Sequence, residues 1–514
     1  MSKCCGISLF VLSLAIGVQS SNLQCYETEF PEGFLFSASS SAYQIEGAWN
    51  KDGRTDSIWD DLVHQRPYLV RDNATGDIAD NSYYVYKRDI EILRELGLQV
   101  YRFSISWNRI LPTGFPNKIN YEGVAYYDNL INELLKYNII PVVTIYHFDL
   151  PQSLQELGGW VNPYVVDWLG DYARVVFNLF GDRVKFWITV NEPQQICYYG
   201  YGDVMNAPAL NYKGIAEYYC AKNVLLAHAR AYHIYDEEFR EFQQGIIFIA
   251  ISAEWYEPAS SDKNDILAAY DSNMFTYGQY AHPIFSETGD FPQKMKDRIA
   301  ERSVMQGFVR SRLPQLSEQE IDYIRGSSDV FGLNHYSTFY ASRNQSAYTN
   351  YESPSFFDDM AAYTFQPPEW RLSPDAGVAT VPWGFYKLLQ FIKREYNNPP
   401  VFVTENGFGD NGGLKDNDRV THLKGYLCAL LKAINHGSDI IGYSVWSLLD
   451  SFEWMCGYNC KFGLYQVDYS SKNRTRTPRL SAHFYQQLIR TGRLDPDFEP
   501  DLSVPMTSDI NVLN

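Results

Sequence analysis

Short apolar runs alternate with amphipathic stretches along most of the chain. The runs are rich in β-branched and aromatic residues, and this pattern is typical of parallel strands that are covered on both faces. A strand is therefore predicted in each of eight runs: Phe34–Ser39, Val100–Trp107, Ile140–Phe148, Lys185–Glu192, Gly245–Ala253, Asp329–Tyr336, Pro400–Asn406 and Ile440–Leu448.

Helical periods lie between the predicted strands. Tyr83–Leu96 places apolar residues three and four apart and stops before Gly97, and Tyr121–Tyr137 and Trp383–Tyr396 show the same pattern. Strand–helix alternation repeated eight times predicts an α/β fold, a single (β/α)8 TIM barrel. The longest gap separates the fifth and sixth strands and is expected to carry additional helices.

Functional side chains collect where the predicted strands end, which is the face that carries the active site in a (β/α)8 barrel. Any one of them could merely cap the following helix, but the pattern recurs at seven strands. They are Gln44 and Glu46 after the first strand, Arg102 in the second, His147 at the third, Asn191 and Glu192 at the fourth, Asn334 and Tyr336 at the sixth, Glu405 and Asn406 at the seventh, and Trp446 in the eighth.

Two of these strand ends carry a glutamate in almost the same setting. Glu192 lies in TVNEP and Glu405 in VTENG, and the fourth and seventh strands should bring both to the barrel mouth. Cleavage of a glycosidic bond needs two such carboxyl groups, one protonated to donate to the leaving oxygen and one ionised. The sequence does not fix the separation between them.

The composition narrows the function classes. Of 514 residues, 45% are hydrophobic and 16% aromatic, which excludes a disordered chain. A formal net charge of −18 argues against a broad basic face, so neither nucleic acid nor a membrane surface is expected as a partner. H-E-x-x-H and G-x-S-x-G motifs are absent from the sequence, and no metal or other cofactor is predicted.

The N-terminus has the features of a secretory signal peptide. Lys3 precedes an apolar run over Ile7–Val18, and small residues follow from Ser20. A membrane anchor or a buried first helix is the alternative, but the run is shorter than the ~20 residues that a membrane span needs. We expect residues 1–20 to be removed and the mature protein to be secreted.

The number of cysteines is consistent with export. Cys4 and Cys5 would leave with the signal peptide, and the remaining six allow fifteen pairings in an oxidising compartment. Cys456 and Cys460 are close enough in sequence for a local disulfide, although distantly paired or free thiols are the alternative. Three N-glycosylation sequons also occur, at Asn73, Asn344 and Asn473.

Six motifs occur together: SAYQIEGAW at 41–49, YRFSISWNRILPTG at 101–114, TVNEP, GLNHY at 332–336, VTENG, and WSLLDSFEW at 446–454. With these motifs the chain resembles glycoside hydrolase family 1, the family of retaining β-glucosidases, and most of all its secreted, insect-like animal members. The resemblance runs from Phe30 to about Phe498. It implies one glycosidase domain over residues 21–498, followed by a polar tail over residues 499–514.

The resemblance implies a role for each glutamate. Glu192 matches the family's acid/base and Glu405 its nucleophile, so β-glucosides of small aglycones would be hydrolysed by double displacement through a covalent glycosyl-enzyme. Arg102 and Tyr336 are expected to lie beside Glu405 and to favour its ionised form. The positions that match substrate-binding residues are Gln44, His147, Asn191, Asn334, Glu453, Trp454 and Trp446, the last as a platform under the sugar ring.

Departures from the family pattern lie on the aglycone side of the pocket. Many members carry a Trp shortly before the helix that opens near Pro382, but residues 375–382 contain none here, and the nearest one that precedes them is Trp370. Phe148 also replaces the usual Trp after His147. An unusual aglycone is therefore expected.

The sequence leaves open which activity within the family the protein has. Plant thioglucosidases of the family carry Gln at the position of Glu192 and use ascorbate as the base, so O-glycosides are the default here. A thioglucosidase or another defence-glycoside hydrolase is the alternative, followed by a transglycosidase and a sugar-binding pseudoenzyme. A carboxylate at Glu453 would repel a 6-phosphate and disfavours a phosphoglycosidase. The protein is expected to be a monomer or a homodimer.

Overall fold

A computed structural model describes Cys25, residues 28–374 and residues 377–507. At its centre eight parallel strands follow one another in chain order around a closed barrel, and the eighth pairs with the first. The predicted (β/α)8 barrel is therefore confirmed. The strands are Leu35–Ser39, Val100–Ser104, Ile140–Tyr146, Phe186–Asn191, Ile246–Ser252, Phe331–Asn334, Val401–Asn406 and Ile440–Trp446.

Most strands end earlier than the apolar pattern predicts, because the chain turns where the functional residues begin. The second strand ends at Ser104 and the short helix Trp107–Ile110 follows, so the predicted extension to Trp107 is wrong. The fourth strand ends at Asn191, and Glu192 beyond it has a left-handed backbone with φ 46° that breaks the strand. The functional side chains thus lie at the strand ends or just past them.

Helices cover the outside of the barrel. The three predicted from periodicity occur at Ser82–Leu96, Tyr121–Lys136 and Pro382–Glu395, and Gly97 ends the first with φ 78°. Within the described ranges, the other α-helices of seven or more residues are Ile58–Gln65, Val165–Phe180, Ala216–Glu238, Lys263–Phe275, Gly278–Phe285, Gln293–Met305, Glu318–Ile324, Asn417–Asn435 and Leu480–Thr491.

The connection between the fifth and sixth strands carries additional helices, as predicted. The four helices between Lys263 and Ile324 all lie in it. A separate three-stranded sheet, formed by Trp255–Pro258, Thr338–Arg343 and Ala362–Phe365, continues from the C-terminal ends of the fifth and sixth barrel strands. These insertions build up the wall on one side of the barrel mouth.

Side chains on the same face of a barrel strand are apolar toward its N-terminal end and polar toward its C-terminal end. Val100 and Arg102 are two residues apart on the second strand and therefore face the same way, as do Val142 and Thr144 on the third. The two valines join a buried apolar cluster shared by several strands. Arg102 and Thr144 instead hydrogen-bond to each other at 3.1 Å, so polar groups converge at the C-terminal end.

Three disulfides join the six cysteines that lie outside the predicted signal peptide. The local bridge between Cys456 and Cys460 is confirmed. The pairing of the other four could not be chosen from their spacing. The structure pairs Cys25 with Cys428 and Cys197 with Cys220.

Two sequence predictions fall wholly or partly outside the described residues. The signal peptide over residues 1–20 lies outside them, and the tail over residues 499–514 is described only as far as Thr507. Across the described ranges, no helix combines the length and the apolar character that crossing a membrane requires.

Candidate active site

A cavity of about 290 Å³ opens at the C-terminal ends of the barrel strands. Seven of the predicted site residues line it: His147, Glu192, Tyr336, Glu405, Trp446, Glu453 and Trp454. The other four, Gln44, Arg102, Asn191 and Asn334, are buried immediately behind this lining, each at most 1% exposed. The structure therefore brings all eleven together.

Glu405 is held by two donors. Arg102 Nη1 lies 2.5 Å from Glu405 Oε1, and the Tyr336 hydroxyl donates to Oε2 at 2.7 Å. Both contacts were predicted, and both favour the ionised carboxylate. Since Arg102 is fully buried, its charge is little screened by solvent.

Arg102 also organises the polar mouth. Its Nη2 donates to Asn191 Oδ1 at 2.7 Å, and its Nη1 donates to the Thr404 carbonyl at 3.2 Å. Together with the bond to Thr144, these contacts link the second, third, fourth and seventh strands. Removing one partner of such a buried ion pair typically costs about 3–5 kcal/mol, so the guanidinium should serve stability as well as chemistry.

Asn191 is fixed from three directions. Besides the bond from Arg102, it accepts from Asn334 Nδ2 at 3.1 Å, and its own Nδ2 lies 3.2 Å from His147 Nε2. Burial and the nearby Arg102 charge lower the pKa of His147 well below its usual value. The imidazole is therefore neutral and can act as an acceptor toward Asn191.

Glu192 is in a different environment from Glu405. Its carboxyl group is buried, and burial is the largest cause of a pKa well above the ordinary value, followed by the charge of Glu405. Asn334 and Arg102 act in the opposite direction without cancelling the rise. One carboxyl group thus tends to stay protonated beside another that is paired with Arg102, and glycoside cleavage requires two carboxyl groups in such different settings.

The loop after the eighth strand supplies Glu453 and Trp454. Gln44 Nε2 donates to Glu453 Oε2 at 3.2 Å, and burial raises the pKa of Glu453 to about 8. A tight turn closed by Cys456–Cys460 follows, in which Glu453 N–H donates to the Gly457 carbonyl at 2.7 Å. The disulfide therefore braces the turn that presents Glu453 to the cavity.

A model of the family described as "Glycosyl hydrolase family 1" matches residues 26–493. The chain belongs to this family. Myrosinase 1 of Brevicoryne brassicae is 44% identical over 469 residues, which cover 90% of this chain and 99% of the relative. A solved structure of an aphid myrosinase has a TM-score of 0.86 at 44% identity and covers 90% of this chain and 99% of that one.

A further structural relative is a rice β-glucosidase, solved as a mutant in a covalent complex with glucose. Its TM-score is 0.84 at 36% identity, covering 89% of this chain and 98% of the rice chain. The protein is accordingly a family 1 glycoside hydrolase of the retaining β-glycosidase type, with small β-glycosides as the substrate class. This confirms the family that the six motifs predicted.

Trp370, the nearest tryptophan before Pro382, does not take the place expected of the family's tryptophan. Trp370 lies against Tyr340 and Trp383, with ring centroids 5.2 and 5.9 Å apart, and does not line the cavity. Val378 and Phe462 line the cavity and pack with Trp446. The described residues 377–382 contribute Gly377 and Val378 to the cavity lining and no tryptophan; Asp375 and Ala376 lie outside the described residues.

Glu254 is a cavity residue that the sequence interpretation missed. It lies two residues after the fifth strand and lines the cavity. The signal was present, because this is the one predicted strand for which no polar residue at the end was noted. Gln195 and Asn206 were also missed; Gln195 begins the short helical segment Gln195–Gly202 after Glu192 and Asn206 follows it, where no comparable pattern exists.

Phosphorylated sugars are disfavoured by the lack of a counter-charge in the described cavity lining more than by the charge of Glu453. A pKa of about 8 leaves Glu453 largely neutral at pH 7, so its repulsion of a 6-phosphate is weaker than expected. However, the described residues that line the cavity include no lysine or arginine. A phosphate would therefore find no counter-charge. In the same described ranges, no three His, Cys, Asp or Glu side chains come together as a metal site.

Proposed function

We propose that this family 1 hydrolase is a β-glucosidase that acts by double displacement, with Glu405 as nucleophile and Glu192 as acid/base. One observation carries the proposal: a carboxylate paired with Arg102 and a carboxyl group of raised pKa line the same cavity. Glu405 attacks the anomeric carbon while Glu192 protonates the departing oxygen. The aglycone leaves, and the sugar remains as an ester on Glu405.

The second step uses the change in charge that the first step creates. Esterification removes the negative charge of Glu405, one of the two main causes of the raised pKa of Glu192. The pKa of Glu192 then falls, and the same group can take a proton from water that attacks the anomeric carbon. The Tyr336 hydroxyl, 2.7 Å from Glu405 Oε2, is placed to stabilise the carboxylate as it leaves.

The sugar would be held by the residues behind and beside the glutamates. Asn191, locked by its three contacts, is proposed to bind the 2-hydroxyl, where hydrogen bonds strengthen in the transition state. Trp446 stacks on His147 with centroids 5.8 Å apart and planes 15° apart, and would form the platform under the ring. Gln44, Glu453 and Trp454 would contact the remaining hydroxyls.

Glu453→Ala is expected to raise KM and lower kcat, with kcat/KM for β-glucosides and β-galactosides falling by about 10²-fold or more. The reason is the loss of hydroxyl contacts that are strongest in the transition state. Steady-state kinetics on both sugars check this. The isosteric Glu453→Gln, which keeps the shape of the side chain, should lose less; equal kinetics for Glu453→Ala and the unmodified protein would contradict the role.

A thioglucosidase is the second candidate function. It is favoured by the 44% identity to Myrosinase 1, and the presence of Glu192 allows an internal base for either bond type. The test is a panel of purified β-glucosides with O-linked aryl, O-linked cyanogenic, salicin-type and S-linked glucosinolate aglycones, together with the matching galactosides and fucosides. Preference for the S-linked substrate would make the protein a thioglucosidase; preference for O-glucosides supports our proposal.

We also propose that the protein is exported. The sequence of residues 1–20 supports this, and so do three disulfides, which persist in oxidising compartments. The sequon residues Asn73 and Asn473 are exposed, so a glycosyltransferase could reach them, whereas Asn344 accepts hydrogen bonds from Ser346. Mass spectrometry of protein secreted from insect cells would identify the mature N-terminus and the occupied sequons.

A further inference from the structure

Glu254 is a carboxylate in the cavity wall that the proposed mechanism does not use. Its backbone is fixed on both sides, because Ala253 N–H donates to the Asn334 carbonyl at 2.9 Å and Trp255 N–H donates to the Ser337 carbonyl at 3.3 Å. The donor found for its carboxylate is its own backbone N–H; within the described ranges no other residue hydrogen-bonds to it or pairs with it. Its oxygens are therefore available to a ligand.

Glu254 lies on the leaving-group side of the cavity. The fifth strand is the direct neighbour of the fourth, which ends next to Glu192, and is far around the barrel from the first and eighth strands, whose ends carry Gln44 and Trp446. The charge of Glu254 contributes to the raised pKa of Glu192, so the two groups are close. Because Glu254 lines the same cavity beside Glu192, we place it next to the path of the departing aglycone.

The ionisable side chains that line the cavity are mostly acidic. Four glutamates line it, namely Glu192, Glu254, Glu405 and Glu453, while lysine and arginine are absent from its described lining. The undescribed Asp375 and Ala376 add no basic residue. Arg102 is already paired with Glu405 behind the lining. Glu192 and Glu453 have raised pKa values and Glu405 is paired with Arg102, so among the described residues Glu254 is the carboxyl group whose charge an anionic ligand would meet without a cation beside it. Burial raises the pKa of Glu254 as well, so this charge is fully present only on the alkaline side of that pKa.

Apolar side chains line part of the same cavity, to which Gln195, Asn206 and Ser337 add polar groups. Met205, Phe339 and Val378 line the cavity together with Glu254. This surface suits a flat or branched hydrocarbon body, whereas the carboxylate needs a donor. The matching ligand is therefore an apolar aglycone that carries one hydroxyl or ammonium group.

We propose that Glu254 selects aglycones by charge: it accepts a hydrogen bond from a hydroxyl or ammonium group on an apolar aglycone and rejects aglycones that carry a sulfate or carboxylate. The inference rests on the proposed β-glucosidase function and assigns that site its class of leaving group. It makes Glu254 a specificity-determining residue and gives it no part in bond cleavage.

The test uses three aryl β-glucosides that differ only at the 4-position, with aminomethyl, hydroxymethyl or carboxylate substituents. The measured quantity is the ratio of kcat/KM for the cationic substrate to that for the anionic one. In Glu254→Gln, which keeps the shape and removes the charge, this ratio should fall by about tenfold. Glu254→Lys should lower it further, and Glu254→Asp should retain the preference for the cation.

The ratio is taken on one sample with substrates that share the sugar, so partial misfolding of a variant cancels. Glu241→Gln is the matched control, because it removes the same charge from an exposed helix outside the cavity and should leave the ratio unchanged. Raising the salt concentration to 1 M should shrink the preference of the unmodified protein.

Two failures can be told apart. If the unmodified protein hydrolyses the three glucosides but Glu254→Gln keeps the same ratio, charge selection by Glu254 is wrong and the β-glucosidase proposal stands. If it hydrolyses none of the aryl β-glucosides, the proposed function itself fails.

Discussion

Glu405→Ala is expected to abolish hydrolysis, with kcat/KM for aryl β-glucosides falling by on the order of 10⁴-fold or more. Without the carboxylate no glycosyl-enzyme can form. The space it leaves lies beside Arg102 Nη1, which loses an anionic partner 2.5 Å away. A small anion such as azide can enter there and attack the anomeric carbon while Glu192 still protonates the leaving oxygen. The rescued product should therefore be the inverted α-glycosyl azide.

The anomeric configuration of the azide product tests the role of Glu405 more specifically than the loss of rate does. Nuclear magnetic resonance of the azide adduct distinguishes the two anomers, and Glu241→Ala serves as a surface control that should behave like the unmodified protein. Retention of full activity in Glu405→Ala would remove Glu405 from the role of nucleophile. A β-glycosyl azide from that variant would mean that another group forms the covalent intermediate.

Glu192→Ala is expected to slow the hydrolysis of substrates with poor leaving groups by about 10²–10⁴-fold. A dinitrophenyl glucoside, which leaves without protonation, should still glycosylate Glu405 rapidly. Hydrolysis of that intermediate then stalls because no base activates water. Added azide needs no base and should accelerate turnover to the retained β-glycosyl azide, the opposite anomer from that expected for Glu405→Ala.

The pH profile adds an independent check on Glu192. The first step needs Glu192 protonated, and burial together with the charge of Glu405 raises its pKa. The activity of the unmodified protein is therefore preserved on the acid side of that pKa and declines as the pH rises through it. In Glu192→Ala, and equally in the isosteric Glu192→Gln, this alkaline decline should vanish. Its persistence would assign the decline to another group.

The fold could be predicted from the sequence because a parallel barrel strand is buried on both faces and must be apolar over most of its length. The same constraint exposed the site: a polar residue that ends such a strand, as Asn191 or Glu405 does, has little reason to be there unless it serves the barrel mouth. Glu254 lies just past its strand, as Glu192 does, but two residues beyond the end at Ser252, so it falls outside the predicted strand Gly245–Ala253.

Other features depend on contacts that no local pattern encodes. Phe462 reaches the cavity because its carbonyl accepts from the Ser447 N–H at 3.2 Å, which ties two segments of a long loop together. Cys25 and Cys428 are 403 residues apart in sequence and meet only once the chain has folded. The left-handed backbone of Glu192 is likewise invisible in its residue type, since conformations of this kind cost about 1–3 kcal/mol and are imposed by the surrounding structure.

The hydrogen-bond network around Arg102 limits which residues of the site can be substituted during evolution. The groups proposed to grip the sugar, such as Asn191, belong to strand ends that this buried guanidinium joins, so altering them disturbs the barrel itself. Glu254 and Val378 lie on connections outside the barrel strands, where a substitution changes the cavity without breaking that network. Adaptation to new glycosides should therefore exchange leaving groups readily while the sugar specificity is inherited unchanged.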